Sequence, residues 1–492
     1  MSHPAEPVAV DDLLDSAEAG GLAIRGSAAR LGAYAVVTLL GLIAAALLFR
    51  HLGVEDTGRY VTVLALIGLV GAATDAGLTL VGVRELSARP DARREYLRTI
   101  IGARLALTTS GVALAIAFAA VVGFGRTVVA GTAIAGVAWL LQSYQAVLTI
   151  PLFKDLRLGR VALLDVLRQS VFVVLVVVLV AAGASLLPFF VAAVPAVLVT
   201  VVVTAVFVRR AMPLKPSFVA AEWRRLFWDV LPFAAAVAVW SLYFRVPVVL
   251  LSLIATATET GYFGASFRIV EALIIIPQLA LSAAFPIFAR AAAVDLDRFG
   301  YAVRRMFEAA VVFGGSVALA LALGAALAIG LIGGEDFEPA IPVLRIQGIA
   351  MLAAFVTVLW GLALLSLRRH RELIVMNLVG LIVSVALTLA LAPSHGAQGA
   401  AVATALGEIA IVVAGAVFVV RSVENLRLPL GVLPRVGVAA GAAAALVLVP
   451  GLPDIVLLVL AAGVYFGVLF ALGAIPKELL VELGKLRPRS TP

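Results

Sequence analysis

The stretch LLPFFVAAVPAVLVTVVVTAVFV, residues 186–208, contains no charged side chain. As an α-helix it would be about 34 Å long at 1.5 Å per residue, enough to cross a hydrocarbon core of about 30 Å. A second apolar run, VALLDVLRQSVFVVLVVVLVAA at residues 161–182, precedes it across residues 183–185. Outward from this pair the pattern repeats along the chain, which predicts a helical protein that crosses a membrane many times.

The composition places the whole chain in the same class. Of its 492 residues, 63% are hydrophobic and 13% are charged, with a mean hydropathy of +1.13. Soluble proteins carry about 45–50% apolar and about 25% charged residues, so this chain has too little charge to cover a water-soluble body. A soluble enzyme and a disordered protein are excluded, and the lack of cysteine excludes a disulfide scaffold and thiolate metal sites.

The excess of basic residues fits a membrane surface better than nucleic acid. The net charge is +8 and the pI is about 10.1, but the basic residues lie between hydrophobic runs, where they meet lipid headgroups. The chain lacks a P-loop, since Gly484-Lys485 is followed by Leu486. We therefore expect membrane lipids as neighbours, and no nucleic-acid partner, metal, cofactor or ATP site.

Fourteen transmembrane helices are predicted, after a polar tail at residues 1–30 that lacks the features of a signal peptide. The predicted spans are residues 31–49, 60–83, 99–122, 127–152, 161–182, 186–208, 226–253, 261–288, 307–332, 341–367, 373–392, 399–420, 434–450 and 454–475. The connections after odd-numbered spans contain three basic residues, Arg50, Arg59 and Arg126, whereas most of the 37 lie in the tails and the other connections. By the positive-inside rule, both termini are cytoplasmic.

A short internal repeat suggests two related halves. Glu55-Asp56-Thr57-Gly58 enters the second span, and Thr258-Glu259-Thr260-Gly261 enters the eighth, so an acid-Thr-Gly sequence recurs at an offset of 203 residues. Six helices separate the copies, and an even number preserves orientation, which predicts two parallel six-helix lobes around a central cavity. The local role expected for the motif is structural, with the acid capping the helix and glycine permitting a tight turn.

These features define a domain plan. The fold class is an all-α polytopic membrane protein with two six-helix lobes and two C-terminal helices. The segments are a cytoplasmic tail (1–30), an N-lobe (31–208), a cytoplasmic linker (209–225), a C-lobe (226–420), the last two helices (421–475) and a cytoplasmic C-terminal tail (476–492).

The sequence resembles polysaccharide flippases of the multidrug/oligosaccharidyl-lipid/polysaccharide exporter superfamily. The resemblance rests on the first-loop stretch from Arg50 to Tyr60, on Val83-Arg84-Glu85-Leu86, and on the run from Asn377 to Glu408, which includes Pro393, Gly396 and Gly399-Ala400-Ala401. It covers essentially the whole chain, and the predicted helix count fits. The motifs are scaffold-like, so they identify the family better than its substrate.

The resemblance implies an alternating-access flippase, not an enzyme. Its substrate would be a polyprenyl-diphosphate-linked oligosaccharide, moved from the cytoplasmic to the outer leaflet of a bacterial inner membrane for surface polysaccharide biosynthesis. Energy would come from H⁺ or Na⁺ coupling or from the membrane potential. Implied partners are the lipid-linked glycan, and a polysaccharide polymerase and glycosyltransferases.

Three other functions remain open. A flippase for the peptidoglycan lipid precursor would have the same fold and a similar anionic head group. A multidrug antiporter would favour an acidic or aromatic cavity, whereas the cavity candidates here are net basic. A membrane glycosyltransferase or polymerase is the rival from another class, since Glu55 and Asp56 resemble metal-binding carboxylates, but the chain has no sizeable outer loop for an acceptor.

Arg245, Arg268 and Glu271 form the main candidate site. An ionisable group deep in a membrane helix costs at least ~2.5–3.5 kcal/mol on insertion scales, so each needs a reason. A short hairpin joins the two predicted helices, which places both arginines at similar depth, and Glu271 follows Arg268 by one helical turn. The repeat places Leu42, Ala65 and Gly68 at the equivalent positions, so the scaffold does not need these charges.

Excess arginine suits an anionic ligand, because a planar guanidinium binds phosphate through two hydrogen bonds. The resemblance makes that ligand a diphosphate. In the alternative interpretation Arg268 and Glu271 only neutralise each other, and Arg245 extends to a lobe interface.

Four other charged residues are weaker candidates. Arg25 and Arg30 precede the first span and are placed to meet a diphosphate at the cytoplasmic mouth, although positive-inside anchoring explains them equally well. Asp75 and Glu408 lie near the middle of their predicted spans and are candidates for ion coupling or for helix contacts.

Pro232, Pro247, Pro277 and Pro286 predict kinks in the seventh and eighth spans.

Overall fold

The computed structural model describes residues 17–75, 93–155, 157–209, 215–218, 223, 239, 242–282, 284–424 and 426–474. The regular structure within these residues is helical. Ten of the described helices are long and apolar enough to cross a membrane, which makes this a multi-pass membrane protein. The helices are α1 (Ala17–Asp75), α2 (Arg93–Val121), α3 (Arg126–Leu148), α4 (Ile150–Lys154), α5 (Leu158–Ala181), α6 (Leu186–Val208), α7 (Leu242–Ile254), α8 (Ala257–Leu273), α9 (Ile275–Ser282), α10 (Phe285–Val294), α11 (Leu296–Ile332), α12 (Ala340–Ser366), α13 (His370–Ser422), α14 (Val432–Ala444) and α15 (Asp454–Ala471).

Two of these helices each include all or most of two predicted spans. The helix α1 bends at Gly53, where φ is 71°, and α13 bends at Gly396, where φ is 52°. The connections predicted at residues 50–59 and 393–398 are therefore largely helical, and one glycine in a left-handed conformation replaces each loop. Every predicted span overlaps a described helix, but the number of membrane crossings stays a prediction because residues 76–92 and most of 226–241 lie outside the description.

Prolines account for the breaks in the predicted span 261–288. The helix α8 ends at Leu273, and Pro277 lacks the N–H that would bond to the carbonyl of Leu273. In the same way α9 ends at Ser282, four residues before Pro286. The breaks expected at these two prolines are confirmed, whereas Pro247 lies inside the unbroken helix α7 and Pro232 lies outside the described residues.

The chain forms two compact units. The first contains residues 1–48 and 70–237, and the second contains residues 49–69 and 238–492. The boundary near residue 237 falls close to the start of the predicted C-lobe, but residues 49–69 belong to the second unit although they lie in the predicted N-lobe. The arrangement of the lobes around a cavity stays a prediction.

Each unit has its own core. In the first, apolar side chains from α2, α3, α4 and α5 pack together around Leu97, Ile100, Leu148 and Leu164. In the second, α12 is the most buried of the membrane-spanning helices and packs against α11 and α13. The ring of Trp360 in α12 is fully buried and stacks on Phe307 of α11.

Candidate functional site

The helices α7 and α8 form a hairpin that positions the predicted arginines. Only residues 255 and 256 separate them, so they run side by side. Thr256 caps α8 by accepting a hydrogen bond from the amide of Glu259. Phe244 and Phe267, each directly before an arginine, pack with their ring centroids 4.9 Å apart and fix the level at which the arginines meet.

One carboxylate binds both arginines. Nη2 of Arg245 donates to Oε1 of Glu271 at 2.8 Å, and Nη1 of Arg268 donates to Oε2 at 2.8 Å. The three predicted residues are therefore brought together. Arg245 does not extend away from the pair, as the alternative interpretation required, but shares its acid.

The cluster carries a net positive charge and remains accessible. Two guanidinium groups against one carboxylate leave an excess of one positive charge. The side chains of Arg245 and Arg268 are 30% and 38% exposed, and each guanidinium has five N–H donors, of which one binds Glu271. The cluster thus has both the charge and the donors to bind an anion.

Gly68 supports the cluster from α1. A side chain at Gly68 would begin 3.0 Å from Nε of Arg245, so the absence of one lets the arginine lie along the helix. The repeat offset of 203 residues relates Gly68 to Glu271. Tyr60, on the same segment of α1, lies within electrostatic range of Arg268.

Glu408 forms a second polar cluster in the second unit. The hydroxyl of Thr357 in α12 donates to Oε2 of Glu408 in α13 at 2.9 Å. The hydroxyl of Tyr243, whose side chain is buried, is a close polar neighbour of the same carboxylate. Sequence reasoning found Glu408 but neither partner, because both come from distant parts of the chain.

Of the other predicted site residues, Arg30 has a described side chain, in the first unit. The guanidinium of Arg30 lies over the ring of Phe153, 5.2 Å from its centroid, and Asp165 interacts electrostatically with Arg30. Arg25 and Asp75 lie in α1, but their side chains are outside the described part of the structure.

The acid-Thr-Gly motif has a different role from the expected one. Glu259 does not cap its own helix, which Thr256 caps, but accepts a hydrogen bond from the amide of Ala397 at 2.7 Å, just after the bend in α13. In the first copy, Glu55 and Asp56 both pair with Arg59. This pairing occupies the acids that resembled metal ligands.

Known proteins share both the sequence pattern and the fold. A family model described as "Polysaccharide biosynthesis protein" matches residues 23–292, more than half of the chain. No curated protein sequence matches the chain.

Solved transporters are similar in structure. Lipid II flippase MurJ, in an inward closed conformation, has a TM-score of 0.74 at 12% identity, covering 91% of this chain and 99% of that one. An inward-facing multidrug resistance MATE family transporter of the MOP superfamily has a TM-score of 0.64 at 14% identity, covering 80% and 96%. A MOP superfamily transporter from Pyrococcus furiosus, described by the reverse polarity of its binding pocket, has a TM-score of 0.54 at 16% identity, covering 82% and 94%. At these identities the likeness shows the fold.

Proposed function

The chain belongs to the polysaccharide biosynthesis protein family and has the fold of MOP superfamily transporters, and from this premise we propose that it flips a lipid-linked oligosaccharide. The substrate is a polyprenyl diphosphate carrying a glycan, and it moves from the cytoplasmic to the outer leaflet of a bacterial inner membrane. Both termini are cytoplasmic. The flippase acts between the glycosyltransferases that build the glycan and the polymerase that extends it.

The observation that carries the proposal is the sharing of Glu271 by Arg245 and Arg268. The carboxylate orients both guanidinium groups and lowers the cost of holding them within membrane helices. An arriving diphosphate adds negative charge to a net positive cluster, and the free N–H groups bind its oxygens in pairs. The positive charge of the cluster then balances the negative charge of the diphosphate while the substrate crosses the membrane.

The same cluster weighs against a cationic drug as substrate, because excess positive charge repels it. A peptidoglycan lipid precursor carries a similar diphosphate, and MurJ, a lipid II flippase, shares the fold. The family description favours a polysaccharide precursor over this second candidate.

Glu408 is the proposed coupling site. A carboxylate within a membrane helix that accepts a hydrogen bond from Thr357, with the buried hydroxyl of Tyr243 nearby, suits a proton or Na⁺. Asp75 is the alternative. Transport would then draw on an ion gradient or the membrane potential.

The proposal is tested by replacing the arginines. Arg245→Ala and Arg268→Ala should each abolish export of the lipid-linked glycan while membrane abundance stays normal, and lysine should restore it only partly, since a point charge lacks the paired hydrogen bonds. Export is measured as surface glycan beside the amount of protein in the membrane. Arg305→Ala is the matched control, because Arg305 and Glu308 form an ion pair of the same spacing and similar exposure; it should export normally.

A purely structural cluster predicts another result. Removing Arg268 alone would leave Glu271 without one of its partners, at a cost of up to ~3–5 kcal/mol for a buried pair, and abundance would fall with export. The double variant Arg268→Ala/Glu271→Ala would then restore both. An actively exporting double variant would end the diphosphate proposal.

A further inference from the structure

A reciprocal backbone contact joins residues 49–69 to α8, and the internal repeat relates its two sides. A side chain at Gly58 would begin 1.8 Å from the carbonyl oxygen of Ala257, and one at Gly261 would begin 2.2 Å from that of Val54. The offset of 203 residues relates Gly58 to Gly261 and Val54 to Ala257. Each glycine therefore packs against a backbone carbonyl of the other repeat copy, and the two contacts are equivalent.

The contact continues along both helices. A side chain at Gly264 would begin 3.0 Å from Cβ of Val61, and the same offset relates these two residues to each other. Thr57 and Thr260, directly before the paired glycines, are both fully buried. The acid-Thr-Gly repeat thus marks a pseudo-twofold contact, at which the two backbones approach as closely as small residues allow in membrane helices.

The chemistry of this contact permits release. Glycine Cα–H groups facing carbonyl oxygens form weak hydrogen bonds, so separating the two helices leaves no charge without a partner. Residues 49–69 lie in the chain between two stretches of the first unit, yet they pack within the second. Gly53 bends α1 directly before the contact, and its left-handed backbone conformation offers a pivot.

We infer that the paired glycines Gly58 and Gly261 form a seal on the predicted outer side, closed while the substrate site faces the cytoplasm and opened once in each transport cycle. The inference rests on the proposed transport function, and it adds the contact that must break. Arg245 packs against Gly68 of the same segment, so opening the seal also gives the arginine cluster access to the outer side.

Adding a methyl group at either glycine should hold the seal open. In Gly58→Ala and Gly261→Ala the new Cβ meets backbone, which cannot rotate away. The readout is labelling of Ala65→Cys, a position 2% exposed in this structure, by an impermeant thiol reagent added to whole cells. The native chain contains no cysteine, so background is low. Both variants should raise labelling several-fold and to the same extent, because the contact is symmetric.

The matched control is Gly330→Ala, near the end of α11, where an added Cβ meets nothing within 4 Å. It should label like the parent. Unchanged labelling in both Gly58→Ala and Gly261→Ala would overturn the inference, as would equal labelling in all three variants.

A disulfide should have the opposite effect. The pair Val61→Cys/Gly264→Cys places two Cβ atoms 3.0 Å apart, so a shift of about 0.5 Å between the helices brings them to the separation of a disulfide, about 3.5–4.5 Å. Oxidation should block both labelling at Ala65→Cys and export, and a reductant should restore them; each single cysteine variant should be insensitive. If the oxidised protein still exports, the contact is permanent packing and the inference is wrong. If labelling does not respond to the glycine variants but the glycan is exported, the seal is wrong and the proposed function stands. If labelling responds as expected but no glycan is exported, the proposed function is wrong and the seal stands.

Discussion

The carboxylates of Glu271 and Glu408, both in the second unit, have different kinds of partner. The helix α7 supplies one neighbour to each. Glu271 binds two guanidinium groups, whereas Glu408 accepts a hydrogen bond from the hydroxyl of Thr357 and has the hydroxyl of Tyr243 nearby. Arg245 and Tyr243 lie two positions apart in α7, so they project in nearly opposite directions and reach the two acids separately. A shift of α7 would therefore alter both clusters, which gives ion binding at Glu408 a physical route to the arginines.

Glu408→Gln should uncouple export from the ion gradient. Glutamine keeps an oxygen for the hydroxyl of Thr357 but lacks the negative charge that holds a cation and has no proton to release. The stimulation of export by the ion gradient, measured in proteoliposomes, should fall by about 5–150-fold. This fold-change corresponds to the loss of a coupling free energy of ~1–3 kcal/mol between the two sites. Thr357→Val keeps the charge and should retain most of the stimulation. Normal ion dependence in Glu408→Gln would leave this carboxylate as a helix contact and direct attention to Asp75→Asn.

The sequence predicted part of this chemistry. The Arg268–Glu271 pair follows from helical spacing, and the short hairpin correctly indicated that Arg245 would be near. The partners of Glu408 could not be predicted, because Thr357 lies 51 residues away and helix packing alone brings the two together. The sharing of one acid by two arginines likewise depends on side-chain packing that no local pattern encodes.

Among the helices, single residues determine where a span bends. Prolines end α8 and α9 by removing one donor each, and glycines at positions 53 and 396 bend α1 and α13 without a loop. Proline positions were predictable because the missing N–H is a local property. The glycine bends were predicted as loops, since a polar stretch between two apolar runs usually forms one. A tertiary contact that no local pattern encodes holds the bend in α13, since Glu259 accepts the amide hydrogen of Ala397 directly after Gly396.

Glu259→Ala should loosen the start of the second half of α13. The carboxylate accepts the amide hydrogen of Ala397, which lies just after the bend and has no earlier carbonyl in helical register. Loss of a cap costs about 0.5–2 kcal/mol, so hydrogen exchange over residues 396–401 should quicken by roughly fivefold. Glu338→Ala removes an exposed acid elsewhere in the chain and should leave these amides unchanged. Exchange that is equally slow in both variants would show that this bond contributes little.

At the scale of the whole molecule, the repeat organises both proposals. Its two copies meet at the paired glycines, and beyond that contact the symmetry ends, since Glu271 corresponds to Gly68 and Arg268 to Ala65. The proposed glycine seal thus lies where the two repeat copies are alike. The proposed anion site lies where they differ. The fold class and the family followed from apolar runs and short motifs. The grouping of residues 49–69 with the second unit did not, because chain order alone assigns them to the first half.

Orientation in the membrane is the last expectation to test, and one helix segment provides the test. Arg371 and Ser394 are exposed near opposite ends of the first half of α13, about 35 Å apart at 1.5 Å per residue. Positive-inside asymmetry places Arg371 in the cytoplasm and Ser394 outside. In the cysteine-free parent, an impermeant thiol reagent applied to whole cells should therefore label Ser394→Cys and spare Arg371→Cys until the membrane is permeabilised. Glu335→Cys, exposed just after α11, should behave like Ser394→Cys. The reverse pattern would invert the transporter, move the glycine seal to the cytoplasmic side, and require the diphosphate to enter from outside.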